Sequence, residues 1–509
     1  MNNLLLKQAL EKPNNMAFIC DDITVTYKES WERVLDLKSM LDVGGVEAGD
    51  KVALITEEPL EFVHMFMAIS LCDAIIIPVY LKSGIEKINK LLKYFKIKYV
   101  FTQEDAVGDM LDGSYNPIST NEKSNYFLFC NKNLTLDESL KDAKLILFSS
   151  GTTSFPKAVM LSKNNIYSNI DSILDYLKLN ENDRILIIKN LNHASSIIGE
   201  FLVGLYAGVP IYFTRKLPRT RTILQLIDEY KITTFFAIPF ILDGFLEYKN
   251  IDKFDLSSLH RINFYGGKLG AEKIRDLCNK FPNVEFIYSY GLTEAAPRVT
   301  YIDKEGLNTH FGSCGRAIKD VKVEIRDENG EILPTLCEGE ITVTGPNVMI
   351  GYYMEPQLTS ERLRKGVLYT KDIGYLDADG FLYVTGRKDN MFIVAGKNVY
   401  PEEVEAVINR DKAVHESLVY YDEQFKNGIV ALVTTFVDEE LDQKRLLCLC
   451  EKELEFYKIP NKIIEVSNFE KTISGKIVRN QYLKYINKIV NITGTFTPLV
   501  RIEETIVPD

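Results

Sequence analysis

Phe148-Ser149-Ser150-Gly151-Thr152-Thr153-Ser154-Phe155-Pro156-Lys157-Ala158 follows the apolar run Leu145 to Phe148 and precedes an amphipathic stretch, Asn164 to Leu177. That order reads as buried strand, loop and helix. Small hydroxyl residues and a glycine let backbone N–H and side-chain O–H groups surround an anion, and Lys157 adds a full positive charge. Ser149, Ser150, Gly151, Thr152, Thr153, Ser154 and Lys157 are therefore candidate phosphate contacts. The stretch is not the common nucleotide loop Gly-x-x-x-x-Gly-Lys-Ser/Thr, because Pro156 and Ala158 hold the sixth and eighth places. In isolation a Ser/Thr-rich surface turn would read the same way, so the rest of the chain decides.

Outward from this loop, short apolar runs alternate with amphipathic stretches. Val52 to Ile55, Ala74 to Val79, Tyr99 to Thr102, Leu145 to Phe148 and Arg184 to Ile188 read as buried strands. Leu60 to Leu71, Ser83 to Tyr94 and Asn164 to Leu177 read as helices between them. The alternation predicts α/β layering with largely parallel sheets. From about residue 312 to 385, turn signals such as Asp327-Glu328-Asn329-Gly330 and Asp377-Ala378-Asp379-Gly380 separate short β-type runs. A small antiparallel β subdomain is expected there. After Gly386 comes a charged stretch, Arg387-Lys388-Asp389-Asn390. A helix from Pro401, strands at Ser417 to Tyr421 and Ile429 to Phe436, a helix from Glu440 to Glu453 and a last strand follow. The expected division is a multi-sheet α/β domain over 1–385 and a small α+β domain over 386–509.

The chain has 509 residues, too many for one ordinary core. Hydrophobic residues at 46% and charged residues at 26% fit an ordered globular protein. The net charge of -11 and the absence of a dense Lys/Arg run argue against nucleic acid as a partner. The best apolar stretch, Phe62 to Leu81, is broken by His64 and Asp73, so no membrane span is predicted. The eight cysteines are scattered with no Cys-x-x-Cys pair, as expected of free thiols in a reducing cytoplasm.

The loop at 149–157 resembles the phosphate loop of the adenylate-forming superfamily, which includes acyl-CoA synthetases, peptide-synthetase adenylation domains and firefly-type luciferases. Ser154 and Ala158 stand where that family has glycines. Five further motifs follow in family order. Tyr265-Gly266-Gly267 is similar to the segment packed on one adenine face. Tyr290-Gly291-Leu292-Thr293-Glu294 is similar to the family's Tyr-Gly-x-Thr-Glu, with the aromatic on adenine, Thr293 on the α-phosphate and Glu294 on Mg²⁺. Thr370-Lys371-Asp372 resembles Thr-Gly-Asp, whose aspartate binds the ribose, with Lys371 in place of glycine. Arg387 matches the second ribose contact, and Asp389 falls at the hinge about which the family's C-terminal domain rotates. In Ser474-Gly475-Lys476, the lysine matches the one that reaches carboxylate and α-phosphate during adenylation.

The resemblance implies an AMP-forming ligase that uses ATP and Mg²⁺ to make an acyl-adenylate and passes the acyl group to a thiol. Lys157, Thr293, Glu294 and Lys476 would carry the chemistry by positioning and charge, with no covalent nucleophile. Asn190-Leu191-Asn192-His193-Ala194-Ser195-Ser196 holds no acid to pair a substrate ammonium, which disfavours an α-amino acid. His193, Phe240 and Phe264 are the candidate walls of the acyl pocket. Val394 to Glu403 looks like the segment that lines the pantetheine tunnel of CoA ligases. CoA or the phosphopantetheine arm of a carrier protein would enter alike. A paralogue that binds nucleotide or acyl ligand without turnover is the other reading, motivated by Ser154, Ala158 and Lys371.

Overall fold

The computed structural model describes residues 3–103, 107–108, 111–121, 126–135, 137, 140–149, 156–267, 269–422, 428–436, 439–471 and 477–479. Two large sheets form the N-terminal part. One has eight strands, with Ala143–Ser149, Ile75–Pro78, Lys51–Ile55 and Tyr99–Thr102 as its parallel centre. The other has nine, with Met16–Cys20, Ile211–Phe213, Ile185–Ile187, Thr234–Ala237, Arg261–Tyr265 and Glu285–Gly291 parallel to one another. These strands are apolar on both faces, as in sheets covered by helices on each side. Helix Pro59–Leu71 is buried along almost its whole length, and so are the residues of its predicted apolar run.

The five strands predicted from the apolar runs are all present, and the three helices begin within a few residues of the expected positions. One local expectation fails. The phosphate loop does not lead straight into a helix: Lys157–Ser162 is a strand, antiparallel to Ala143–Ser149, with Ser149 opposite Lys157. Ala158, Val159 and Leu161 are fully buried, so the segment is covered on both faces, as an interior strand is. The helix Lys163–Leu177 starts only after it, where Ser162 and Asn165 form a reciprocal cap.

Between 312 and 387 a five-stranded antiparallel sheet forms, built on Gly339–Thr344 and Val367–Leu376. It is not self-contained. Gly351–Tyr352 pairs with Lys157–Ser162 of the eight-stranded sheet, and Arg316–Ala317 joins the nine-stranded one. Beyond it lie a hairpin (Phe392–Val394 with Lys397–Val399), helix Pro401–Ile408, strands Val414–Tyr421, Ile429–Thr435 and Lys462–Glu465, and helix Gln443–Glu453. This small α+β unit has its own apolar core around Val404, Val419, Ala431 and Leu446. All eight cysteines are free. No helix among the described residues is long and apolar enough to cross a membrane.

Candidate active site

A cavity of about 1100 Å³ opens beside the carboxyl ends of strands from both large sheets. Thr56, Val79, Ser149, Ile188, Ile238, Gly266 and Tyr290 all lie at or just past such strand ends and line it. Ligands of open α/β sheets sit in this position.

At one end the resemblance-derived residues converge. Gly291 packs so close to the returning chain that a Cβ there would lie 1.9 Å from the Pro297 carbonyl oxygen. The Leu292 N–H donates to that same oxygen at 2.9 Å, and the fold-back presents Thr293 and Glu294 to the cavity. Glu294 is 8% exposed, and its Oε1 accepts from the Tyr352 hydroxyl at 2.7 Å. Asp372 and Arg387 are in register on neighbouring strands, with Arg387 Nη1 3.3 Å from Asp372 Oδ1. The Tyr290 hydroxyl donates to Asp372 Oδ2 at 2.5 Å. Burial, then the Asp372 charge, drives that phenol well above its ordinary range, so it stays a donor. Gly266 has φ +86°, and a Cβ built there would have only Ile238 within 4 Å, at 3.8 Å, which leaves an open shelf.

Lys157 faces the same space. Burial lowers its pKa, and the nearby charges of Arg362 and Lys371 push in the same direction. Lys157 and Arg362, which both line the cavity, make this wall suited to a polyphosphate. Arg362, buried and anchored by Nη2 to the Thr370 carbonyl at 3.0 Å, had no sequence signal. Ser150, Gly151, Thr152, Thr153, Ser154 and Lys476 lie outside the described residues.

The far end of the cavity has a different character. His193 lines the cavity together with Phe62 and Tyr265, while Tyr288 reaches it from the Asp372 side. Phe264 and Phe240, expected as walls, do not line it. Phe264 is fully buried behind Tyr288, stacked on it at 4.9 Å, because alternation along the strand turns Tyr265 to the cavity instead. Phe240 lies in the first turn of helix Pro239–Glu247 and is half exposed, with the Lys471 amine 5.2 Å from its ring. Lys189 and Arg298 also line this end. Lys189 pairs at 2.7 Å with Glu200, which is fully buried and also accepts from the Tyr265 hydroxyl. A signal for this group did exist: Glu200 and Arg298 each interrupt an apolar run, Ile197 to Leu202 and Ala295 to Val299.

The family model described as AMP-binding enzyme matches residues 5–353, and that of the AMP-binding enzyme C-terminal domain matches residues 403–476. Among curated proteins, a 2-succinylbenzoate–CoA ligase of Listeria innocua is 29% identical over 487 residues, covering 94% of this chain and 98% of the relative. One from Bacillus cereus is 25% identical over 498 residues, covering 96% and 99%. Among solved structures, o-succinylbenzoate CoA synthetase from Bacillus subtilis, in complex with its acyl-adenylate intermediate, superposes with a TM-score of 0.82 at 25% identity, covering 95% of this chain and 98% of that one. ATP-bound MatB from Rhodopseudomonas palustris shares the fold at a TM-score of 0.81 and 24% identity, covering 96% and 100%. With both family models matched in order and the nucleotide motifs gathered around one cavity, the chain belongs to the AMP-binding enzyme family and is an AMP-forming acid–thiol ligase of its acyl-CoA synthetase branch.

Proposed function

We propose that the acid activated here is an aryl acid of the kind named in the relatives, 2-succinylbenzoate, and that CoA is the thiol. The observation that carries this reading is the lining of the cavity, in which the aromatic residues Phe62 and Tyr265 occur with His193 and the cations Lys189 and Arg298. An α-amino acid is poorly served there. Glu200, which pairs with Lys189, is buried behind the cavity lining and leaves no free carboxylate beside that lysine for a substrate ammonium.

ATP would lie with its base on the Gly266–Gly267 shelf and Tyr290, its ribose on Asp372 and Arg387, and its phosphates along residues 149–157. The residues fit this occupant, since the base shelf is open and a buried carboxylate, Glu294, sits next to the cation wall. Glu294 would be the protein residue that holds Mg²⁺, and the ion would supply charge neutralisation for the pyrophosphate. The acid's carboxylate attacks the α-phosphorus, pyrophosphate departs, and Thr293, Lys157 and Lys476 offset the negative charge that gathers there. Rotation about Asp389 would then exchange Lys476 for the face bearing residues 394–403. The thiol sulfur attacks the acyl carbonyl, and AMP leaves.

Pyrophosphate release should be measured with ATP, Mg²⁺ and a panel of 2-succinylbenzoate, fatty acids and α-amino acids, then repeated with CoA. Release with 2-succinylbenzoate and a CoA thioester as product is the expected result. Preference for an amino acid would overturn the acid assignment. Acylation of a carrier protein in place of CoA would overturn the thiol.

A further inference from the structure

We propose that Arg298 is an anion subsite at the far end of the acyl cavity, and that it receives a second carboxylate carried by the acid being activated. The proposal rests on the acid-activating reading of this cavity and adds to it the residue that recognises the second carboxylate.

Arg298 lines the cavity and is 2% exposed. Its guanidinium lies 3.7 Å from the centroid of the Tyr265 ring. Among the described residues its side chain makes no ion pair and no hydrogen bond, and Nε and Nη2 are sealed from solvent without a partner. Glu200 is within electrostatic reach of Arg298, but its short contacts go to Lys189 and Tyr265. Lys189 and Glu200 neutralise each other at 2.7 Å, so the group of three carries one uncompensated positive charge, on Arg298. A buried charge left in this state is costly, and folds retain it where a ligand supplies the counter-charge.

The surroundings hold the arginine in place. Asn169 donates to the Arg298 carbonyl at 2.9 Å and accepts from its N–H at 3.2 Å, and Asn347 donates to the same carbonyl at 2.9 Å. Gly199 makes room for the head group, since a Cβ there would lie 3.2 Å from Nη2. Gly199 and Glu200 sit in the π-helical turn Ile197–Leu202, a winding that recurs at functional sites. A carboxylate in the cavity would meet the guanidinium at Nη1, the nitrogen that is not sealed, in a charge-assisted hydrogen bond. An acid with carboxylates at both ends would place one at the α-phosphate and the other at Arg298. A monocarboxylic acid of the same skeleton would leave the arginine unpaired and be rejected for that reason.

The test compares kcat/KM for pyrophosphate release between acids that differ only in the second carboxylate: 2-succinylbenzoate against benzoylpropionate, and adipate against hexanoate. In the wild-type enzyme the diacid of a pair is expected to be favoured by about 10²-fold or more. In Arg298→Met the ratio should collapse toward one, chiefly through KM of the diacid, while Arg298→Lys should keep part of it. Equal kcat/KM within both wild-type pairs would overturn the subsite and leave the ligase reading standing. Equal loss on both members in Arg298→Met would assign the arginine to structure and also overturn it. If that variant loses its thermal unfolding transition, the wild-type ratio and Arg298→Lys decide. Preference for adipate with neither aryl acid used would overturn the aryl assignment and support the subsite.

Discussion

The Nζ of Lys371 lies 2.9 Å from Oδ1 of Asp389, joining the strand Val367–Leu376 to the turn that leads into the C-terminal unit. Lys371 also has φ +61°, a left-handed conformation that explains why glycine is the usual residue of the resembling motif. Holding a side chain there costs about 1–2 kcal/mol, and the partly exposed ion pair returns at most about 1 kcal/mol. Lys371→Gly is therefore expected to be as stable as the wild type or slightly more so. Lys371→Ala, which keeps the backbone cost and loses the pair, should melt below both. Equal melting temperatures for the Gly and Ala variants would refute the strain argument.

The same contact bears on the two half-reactions. Asp389→Pro fixes one backbone dihedral at φ near roughly -65° and should trap a single orientation of the C-terminal unit. Thioester yield should fall far more than pyrophosphate release when both are followed on one preparation. Parallel losses that track the melting temperature would make Asp389 an ordinary linker residue.

Glu294→Gln keeps the shape that accepts the Tyr352 hydroxyl bond at 2.7 Å but removes the charge. The Mg²⁺ concentration for half-maximal pyrophosphate release should rise, with binding of a preformed acyl-adenylate less affected. A superimposable Mg²⁺ titration would take Glu294 out of the metal site.

Lys476→Ala should slow adenylation by ~10²–10³, the range for one lost preorganised charge contact. Thioester formation from supplied acyl-adenylate should survive, because the lysine is expected to have rotated away by then. The two-orientation mechanism does not hold if both half-reactions slow by the same factor.

The nucleotide end of the site was legible in the chain because each of its parts is a short local segment. Tyr290 to Glu294 needs only Gly291, whose missing side chain permits the close turn against Pro297. Asp372 and Arg387 are brought opposite each other by one antiparallel pairing. The parallel sheets were equally legible, since a strand buried on both faces reads as an unbroken apolar run.

The acyl end was decided only by tertiary structure. Its walls depend on which side of a strand or helix faces inward, and a local apolar pattern says that a residue is buried without saying against what. Tyr265 and Phe264 are neighbours on one strand, yet pleating sends one to the cavity and the other behind it. Lys189, Glu200, Tyr265 and Arg298 come from four separate segments, and no spacing in the sequence relates them. That Lys189 is spent on Glu200 while Arg298 has no counter-charge is a fact of distances between distant parts of the chain. The sequence, through its likeness to the family, pointed to a bound nucleotide and an activated acid; packing decided which groups are left to recognise that acid.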